Sequence, residues 1–194
     1  MTTTPLRKDA ARNWERIVAV ARTLVDEGTP LQLNDVARRS GLGVGTVYRH
    51  FATPEILLET VATPGLEALI AHGERALAAA DGRRALEDFL TRTVEAQVTD
   101  ASLAPVTAAP AHALPRTTEL TRSLWDTGTA LLDRARAAGA VRPELTAADL
   151  VPLMCGIAHA VHVHGDATPA ERVDTAHRYL TALLEGLRTT PPAA

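Results

Sequence analysis

Apolar residues recur along this chain at the three- and four-residue spacing of an amphipathic α-helix. The clearest example contains Ile17, Val18, Ala21, Leu24 and Val25, which share one face of a helix. Long stretches of similar periodicity follow, and no stretch alternates apolar and polar residues as a half-buried strand does. The spacing therefore predicts an all-α protein.

Short helices are predicted for the N-terminal quarter of the chain. Gly28 ends the first helix, and two short segments, 33–40 and 44–51, follow on either side of a turn that contains Gly41. Thr53-Pro54 then has the pattern of an N-cap followed by proline in the first turn of a helix. Because proline donates no backbone hydrogen bond, Thr63-Pro64 is expected to kink or restart this helix.

Longer Ala- and Leu-rich helices are predicted beyond Asp81-Gly82, and four such helices are typical of a bundle. Their approximate ranges are 83–98, 117–138, 149–164 and 169–187. Thr168 to Glu171 is a capping box, and Thr146 to Asp149 is a weaker version of the same start signal. Prolines at 105, 110 and 115 predict broken, mobile structure between the first two helices, and residues 1–5 and 189–194 are predicted to be disordered.

Composition excludes several classes of protein. With 46% hydrophobic and 22% charged residues, the 194-residue chain is neither a disordered nor a membrane-spanning sequence. A lone cysteine, Cys155, cannot close an intrachain disulfide, and no apolar leader follows Met1, so a cytoplasmic location is expected. Aromatic residues make up 3% of the chain, which disfavours a cage of aromatic rings for a cationic ligand.

The segment LNDVARRSGLGVGTVYRHF, residues 33–51, has the layout of a helix-turn-helix, whose second helix enters the DNA major groove. Apolar positions such as Val47 and Phe51 can pack inward, which leaves Val44, Gly45 and Tyr48 on the outer face. Glycine inside so short a helix costs about 1 kcal/mol relative to alanine. Close approach of a phosphate backbone or a base edge to Gly45 is a natural explanation.

Charge is divided unevenly along the chain. Residues 1–51 hold eight Lys and Arg against five Asp and Glu, a formal charge of +3, whereas the remainder holds twelve against eighteen, a charge of −6. The overall charge of −3 therefore conceals a basic head on an acidic body. This distribution is typical of a protein in which one region meets phosphates.

The stretch from Ile17 to Leu58 resembles the DNA-binding domain of TetR-family transcriptional regulators, above all in Val36-Ala37, Gly41 and the run from Gly45 to Phe51. The resemblance implies a three-helix helix-turn-helix DNA-binding domain over residues 1–53. Residues 54–194 would then form a helical-bundle domain for ligand binding and dimerisation, with a linker helix at 54–80 and a disordered tail at 189–194.

By the same resemblance, the start of the recognition helix and its exposed residues contact an operator in double-stranded DNA. These residues are Gly43, Val44, Gly45, Thr46, Tyr48, Arg49 and His50, with Arg12 from the first helix. The chain departs from the family pattern in two respects. Gly43-Val44 replaces a serine and a basic residue, and Pro54 replaces a phosphate-binding lysine, so Arg12, Arg7, Lys8 or Arg49 is expected to supply part of the lost contacts.

The resemblance also implies a homodimeric repressor that an unknown small molecule releases from a palindromic operator; a ligand-independent regulator or an activator of the same fold is the alternative. Dimerisation is expected through the last two long helices. Their apolar residues are Leu150, Leu153, Ile157 and Val161 on the first, and Val173, Ala176, Leu180, Leu183, Leu184 and Leu187 on the second. Phe89, Trp125, Met154 and His159 are the candidate ligand-contacting residues of the body, although helical spacing favours core packing over ligand contact for the first three.

Metal-binding and enzymatic readings have less support. Cys155, His159 and His162 share one stripe of a helix, but no carboxylate joins them and His164 lies off the stripe. The sequence contains no G-x-S-x-G, Gly-rich phosphate loop or H-E-x-x-H. Neither a metal, a cofactor nor an enzymatic activity is therefore predicted, and no interaction with a membrane is expected.

Overall fold

The computed structural model describes the backbone of residues 5–163 and 167–186, and the side chains of residues 8–163 and 167–186. Within these ranges every regular element is an α-helix, which confirms the predicted fold class. The helices are α1 (Pro5–Asp26), α2 (Leu33–Ser40), α3 (Val44–His50), α4 (Pro54–Ala78), α5 (Gly82–Thr99), α6 (Leu103–Ala108), α7 (Pro115–Ala137), α8 (Ala147–Val163) and α9 (Pro169–Gly186).

Helices α1 to α3 pack around a small core of their own. The apolar stripe predicted on α1 is largely buried, with Ile17, Ala21 and Leu24 at 0% exposure. Val36 and Val47 meet this stripe from α2 and α3, and Leu57 closes the cluster from the start of α4. The first turns of α4 thus belong to the same packed unit as the three short helices.

Helix α4 runs without interruption through Pro64, so the expected restart at this proline is wrong. Pro64 lies on the exposed side of the helix, where one missing backbone hydrogen bond is tolerated. On the turn before it, the Thr63 hydroxyl donates to the Glu59 carbonyl oxygen at 2.9 Å. Thr53 caps the start of α4, as predicted, by accepting from the Ile56 N–H at 3.4 Å.

The second half of α4 packs against the body, which comprises α5 to α9. Gly73 marks its closest approach to α7, because a Cβ atom at this position would lie 2.4 Å from the Thr127 methyl carbon. Arg134 of α7 donates to the Leu77 and Ala79 carbonyl oxygens at the end of α4. The linker helix is therefore fixed to the body along α7.

The proline-rich segment is shorter and more ordered than the sequence predicts. Pro105 lies in the first turn of α6, where no backbone donor is needed, and Pro115 is the first residue of α7. The predicted caps of α8 and α9 are present, since Asp149 accepts the Thr146 N–H at 2.7 Å and Glu171 accepts the Thr168 N–H at 2.8 Å. At α9 the box is reciprocal, because the Thr168 hydroxyl oxygen accepts the Glu171 N–H at 3.3 Å.

Four residues expected on a dimer interface are instead part of the chain's own core. Leu150 and Val161 of α8 are 6% and 1% exposed, and Ala176 and Leu180 of α9 are 0% and 2% exposed. All four belong to one continuous apolar cluster that also contains residues of α5 and α7. The body needs these side chains because it has few large residues with which to fill its interior.

Several predictions fall outside the described part of the chain. They concern residues 1–4, the Arg7 side chain, His164, Leu187 and the tail at 189–194. Among the described helices, none is both long and apolar enough to cross a lipid bilayer.

Candidate nucleic-acid interface and ligand cavity

A left-handed glycine turn sets the angle between α2 and α3. Gly41 follows α2 with φ 66° and ψ 24°, and its N–H bonds back to the end of α2. A side chain at this φ is strained, and a Cβ atom here would also lie 3.2 Å from the Arg16 guanidinium. The left-handed φ therefore favours glycine at this turn, whereas the exposed Arg16 side chain can move to admit a Cβ atom.

Helix α3 presents one face to solvent and buries the other. Val47 is fully buried and Phe51 is 2% exposed, whereas Val44 and Tyr48 are 48% and 49% exposed. Gly45 shares the open face, since a Cβ atom there would meet nothing within 4 Å. The glycine is thus not explained by packing inside the chain.

The other predicted contact residues flank this face. Gly43 and Arg49 are exposed, and Thr46 and His50 are half-buried. Arg49 Nη2 donates to the Thr46 hydroxyl oxygen at 3.1 Å, so these two side chains are held together on one turn of α3. Arg12 is exposed on α1 at 3.8 Å from Asp9. None of these side chains is buried by the body.

Ion pairs neutralise some of the basic side chains of the head and leave others available for contact with phosphate. Arg38 and Arg39 are paired at 2.7 Å with Asp35 and at 2.6 Å with Glu27. Within the described side chains, Lys8, Arg16 and Arg49 have no carboxylate within 4 Å. The excess charge is therefore concentrated on α1 and on the exposed end of α3.

Arg22 is directed toward the body and does not belong to the outer face. Its Nη1 lies 2.6 Å from the Asp100 carboxylate, and its Nη2 donates to the Val61 carbonyl oxygen on α4. Burial raises the pKa of the neighbouring Asp26, an effect that Arg22 opposes and Asp100 reinforces. In the sequence Arg22 counts toward the positive charge of the head, and its acidic partner is evident only from the tertiary contacts.

A cavity of about 350 Å³ lies in the body between α5, α6, α7 and α8. Phe89, Trp125 and Met154, three of the predicted ligand-contacting residues, line it. His159 does not line this cavity and is exposed on α8. Trp125 is 42% exposed, so its assignment to the core is wrong: it lies at the mouth of the cavity and not among the buried residues.

Gln97, the most buried polar residue among those that line the cavity, is not predicted from the sequence. This side chain is 2% exposed, and its Nε2 donates to the Thr107 hydroxyl oxygen at 3.2 Å. Gln97 lies on the same face of α5 as Phe89 and Thr93. A glutamine on this mostly apolar face is the one feature of the sequence that could have indicated a polar group in the cavity wall.

Glu59 is a second residue that the sequence analysis did not single out. Its carboxylate is buried and accepts the Ala113 N–H at 2.6 Å and the Leu114 N–H at 2.8 Å. These donors lie in the loop before α7, which also forms part of the cavity wall through Pro110 and His112. Glu59 therefore connects the linker helix to the wall of the cavity.

The Cys155, His159 and His162 stripe is not arranged as a metal site. The Cys155 thiol faces α5 and α6, 3.7 Å from Gln97 Nε2, while His162 Nδ1 lies 2.8 Å from the Ala158 carbonyl oxygen of its own helix. Among the described residues, no group of three His, Cys, Asp or Glu side chains could hold a metal ion.

The body of the chain matches a known protein family. A family model for the C-terminal domain of SbtR-like transcriptional regulators matches residues 81–189, more than half of the 194-residue chain. The HTH-type transcriptional regulator SAUSA300_2515 of Staphylococcus aureus is 38% identical over 69 residues, which are 34% of this chain and 37% of that protein. The chain thus matches little more than a third of the length of this curated relative.

Solved structures resemble nearly the whole chain. The TetR transcriptional regulator SCO0520 from Streptomyces coelicolor is 28% identical with a TM-score of 0.54, and the match covers 92% of this chain and 99% of that one. A TetR transcription regulatory protein from Mycobacterium vanbaalenii is also 28% identical, with a TM-score of 0.50 and coverage of 95% and 100%. FadR from Bacillus subtilis, solved with stearoyl-CoA, shares the fold at 16% identity, with a TM-score of 0.64 and coverage of 90% and 100%.

Proposed function

This chain belongs to the TetR family of transcriptional regulators, and on that premise we propose that it is a repressor which a small molecule releases from a palindromic operator. Like its relatives, it is a regulator and not an enzyme. We propose further that it acts as a homodimer, in the cytoplasm, on double-stranded DNA. A cofactor has no place in this proposal.

The observation that carries the proposal is the open face of α3. A valine, a glycine and a tyrosine are exposed on this face, and their exposure does not stabilise the folded monomer. Arg49, at the edge of the face, has no carboxylate within 4 Å among the described side chains. Val44 offers an apolar contact to a thymine methyl group, and Thr46 and Tyr48 offer hydroxyl groups to bases or phosphates. Arg12, Arg49 and His50 add phosphate contacts, which raise affinity without reading sequence.

Two contacts support a route from the cavity to α3. The loop that Glu59 holds forms part of the cavity wall, so a ligand that displaces this loop pulls on α4. Asp100, which precedes α6, holds Arg22 of α1. Movement of either segment is thus transmitted to the head. For control of DNA binding, it is sufficient that the ligand binds one arrangement of the protein about 1 to 3 kcal/mol more tightly than the other.

A dimer through α8 and α9 is proposed with a smaller set of residues than the sequence suggested. Leu153, Ile157 and Leu183 are half-buried against the core of the body, and Val163 is 70% exposed at the end of α8. Their apolar surface supports association of two copies through these helices. Two-fold symmetry would then place two recognition helices on half-sites roughly 34 to 36 Å apart.

The test is binding of the full-length protein to the DNA upstream of its own gene, with and without a library of metabolites. We expect a footprint on a palindrome, a dimer by sedimentation, and loss of the footprint with at least one compound. Binding that no compound alters would favour the ligand-independent alternative. Reduced transcription of the neighbouring gene on deletion of the regulator would favour an activator.

A further inference from the structure

Gln97 is the single side-chain amide among the described residues that line the cavity. It lies on α5 with 2% of its surface exposed, close to Thr107 of α6 and Cys155 of α8. A side chain this polar is expensive to bury unless its hydrogen-bonding groups have partners. The partners of its two ends are therefore informative about what the cavity holds.

Neighbouring hydroxyl and thiol groups fix the orientation of this amide. The Thr107 hydroxyl donates to the Leu103 carbonyl oxygen at 2.9 Å, and its single hydrogen is thereby used. Thr107 can then only accept from Gln97, as it does from Nε2 at 3.2 Å. Cys155 behaves alike, because its thiol donates to the Ala104 carbonyl oxygen at 3.9 Å while its sulfur lies 3.7 Å from Nε2. With these two hydrogens directed at backbone carbonyl oxygens, the amide donates from Nε2 toward Thr107 and Cys155, and its oxygen accepts from neither.

The other end of the amide has no protein partner. Oε1 of Gln97 is buried and accepts no hydrogen bond from any described residue. Because a carbonyl oxygen only accepts, the group that satisfies it must carry a hydrogen on oxygen or nitrogen. An ether, ester or ketone oxygen cannot do so.

Size and charge restrict the ligand further. The cavity of about 350 Å³ has room for roughly a dozen water molecules at about 30 Å³ each. Most of its wall is apolar, the described lining includes no Asp or Glu, and its one side chain with a permanent charge is Arg122. A compact apolar molecule that is neutral or acidic suits this wall, whereas a cation would have no counter-ion there.

We propose that the cavity binds a compact, mostly apolar, neutral or acidic ligand which donates a hydroxyl or N–H hydrogen to Gln97 Oε1. Gln97 is then the residue that separates donor-bearing ligands from their alkylated analogues. The proposal rests on the proposed function, because it takes the cavity as the ligand site of the regulator. It adds the chemical class of the ligand and the residue that selects it.

Matched probe pairs test the proposal directly. Isothermal titration of the full-length protein compares 4-cyclohexylphenol with its methyl ether, and indole with 1-methylindole. We expect the donor of each pair to bind at least about tenfold more tightly, since a site built for a donor leaves its acceptor unpaired with the analogue. Protonated 4-cyclohexylbenzylamine is expected to bind no more tightly than the ether.

Variants localise the effect. Gln97→Leu should reduce the affinity ratio of each pair to below about two, and Thr107→Val should narrow it because the amide is then free to rotate. Thr121→Val is the matched control: Thr121 lines the same cavity, but its hydroxyl donates to the Thr117 carbonyl oxygen at 2.9 Å, so the ratio should not change. Thermal unfolding of each variant establishes that it is folded.

Equal affinities within both pairs, absence of binding by all donor probes at millimolar concentration, or an unchanged ratio in Gln97→Leu would each overturn the proposal. Operator binding is measured separately on the same samples. A ratio that depends on Gln97 without release of DNA would support this inference and contradict ligand-induced release. Release of the DNA by a compound without a hydrogen-bond donor would support ligand-induced release and contradict the role of Gln97.

Discussion

Arg22 Nη1 lies 2.6 Å from Asp100 Oδ1, and this ion pair joins α1 to the segment between α5 and α6. The two side chains are 34% and 19% exposed, so water screens their attraction only in part. The Ser102 N–H donates to the same carboxylate oxygen of Asp100 at 3.0 Å. The pair is thus a fixed joint between the head and the body.

Arg22→Met is expected to lower the free energy of unfolding by about 1 to 2 kcal/mol, because it leaves a partly buried carboxylate without its cation. Urea unfolding of Arg22→Met, Asp100→Asn and the double variant measures the coupling between the two residues. Arg39→Met is the control, since its partner Glu27 lies within the head and both are at least 40% exposed. If the changes in the free energy of unfolding of the two single variants add up to that of the double variant, Arg22 and Asp100 do not stabilise each other and the ion pair does not join the head to the body.

Glu59→Gln is expected to destabilise the protein by about 1 to 3 kcal/mol, because the amide presents one donor group where the carboxylate accepts from two N–H groups. Glu67→Gln is the matched control on the same helix: Glu67 is exposed, and its one ion-pair partner among the described residues is the exposed Arg116. We expect its effect on the free energy of unfolding to stay within about 0.5 kcal/mol. Equal effects of the two substitutions would show that the contact with the loop before α7 carries no weight.

Local signals explain why so much of the fold is visible in the sequence. The apolar spacing of α1, the glycine turn at Gly41 and the cap at Thr53 each depend on residues a few positions apart, and the structure confirms all three. The effect of Pro64 is not evident from the sequence because α4 packs against α1 to α3 before this residue and against α7 after it, and tertiary packing outweighs one lost hydrogen bond.

The functional contacts of the body depend on pairs that are distant in the sequence. Glu59 meets an N–H donor 54 residues away, and Gln97 meets Cys155 58 residues away. A carboxylate on a helix is usually solvated, so nothing near Glu59 in the sequence indicates that it is buried. Trp125 is the opposite case, because its size predicts a core position while the cavity mouth leaves it 42% exposed.

Tyr48→Ala is expected to weaken operator binding about 5- to 100-fold, corresponding to about 1 to 3 kcal/mol for one lost contact with the DNA. Its effect on the melting temperature should be small because the side chain is 49% exposed. Val47→Ala, one position earlier and fully buried, should lower the melting temperature. Electrophoretic mobility shift and thermal unfolding measure the two effects. Unchanged operator affinity in Tyr48→Ala would contradict the assignment of α3.

Gly45→Ala separates folding from binding. Nothing lies within 4 Å of the added Cβ atom, so alanine should stabilise the head by up to about 1 kcal/mol through its higher helix propensity. Operator affinity should nevertheless fall, since the methyl group obstructs close approach of the DNA. Gly73→Ala should destabilise the chain, because its Cβ atom would overlap the Thr127 methyl carbon. A Gly45→Ala protein that binds the operator as tightly as the original would rule out close approach at this residue.

Acidic caps predict the pH dependence of stability. Hydrogen bonds from the Arg84 N–H, from Thr146 and from Thr168 lower the pKa of Asp81, Asp149 and Glu171 below their usual values. Their contribution to stability is therefore complete above the unfolded pKa values and is lost as the pH falls through the lower folded values. We expect urea midpoints to fall between about pH 5 and pH 3, and to fall less steeply in Glu171→Gln. Midpoints that do not change over this interval would contradict the expectation.

The division of charge between the two halves of the chain also affects how a regulator of this kind meets its target. With +3 on residues 1–51 and −6 on the remainder, the molecule has a large electric dipole along its length. Approaching DNA repels the body and attracts the head, so collisions are oriented before any base is read. Beyond a Debye length of about 8 Å at physiological salt this orientation is lost. We therefore expect the association rate to depend more strongly on ionic strength than a net charge of −3 suggests.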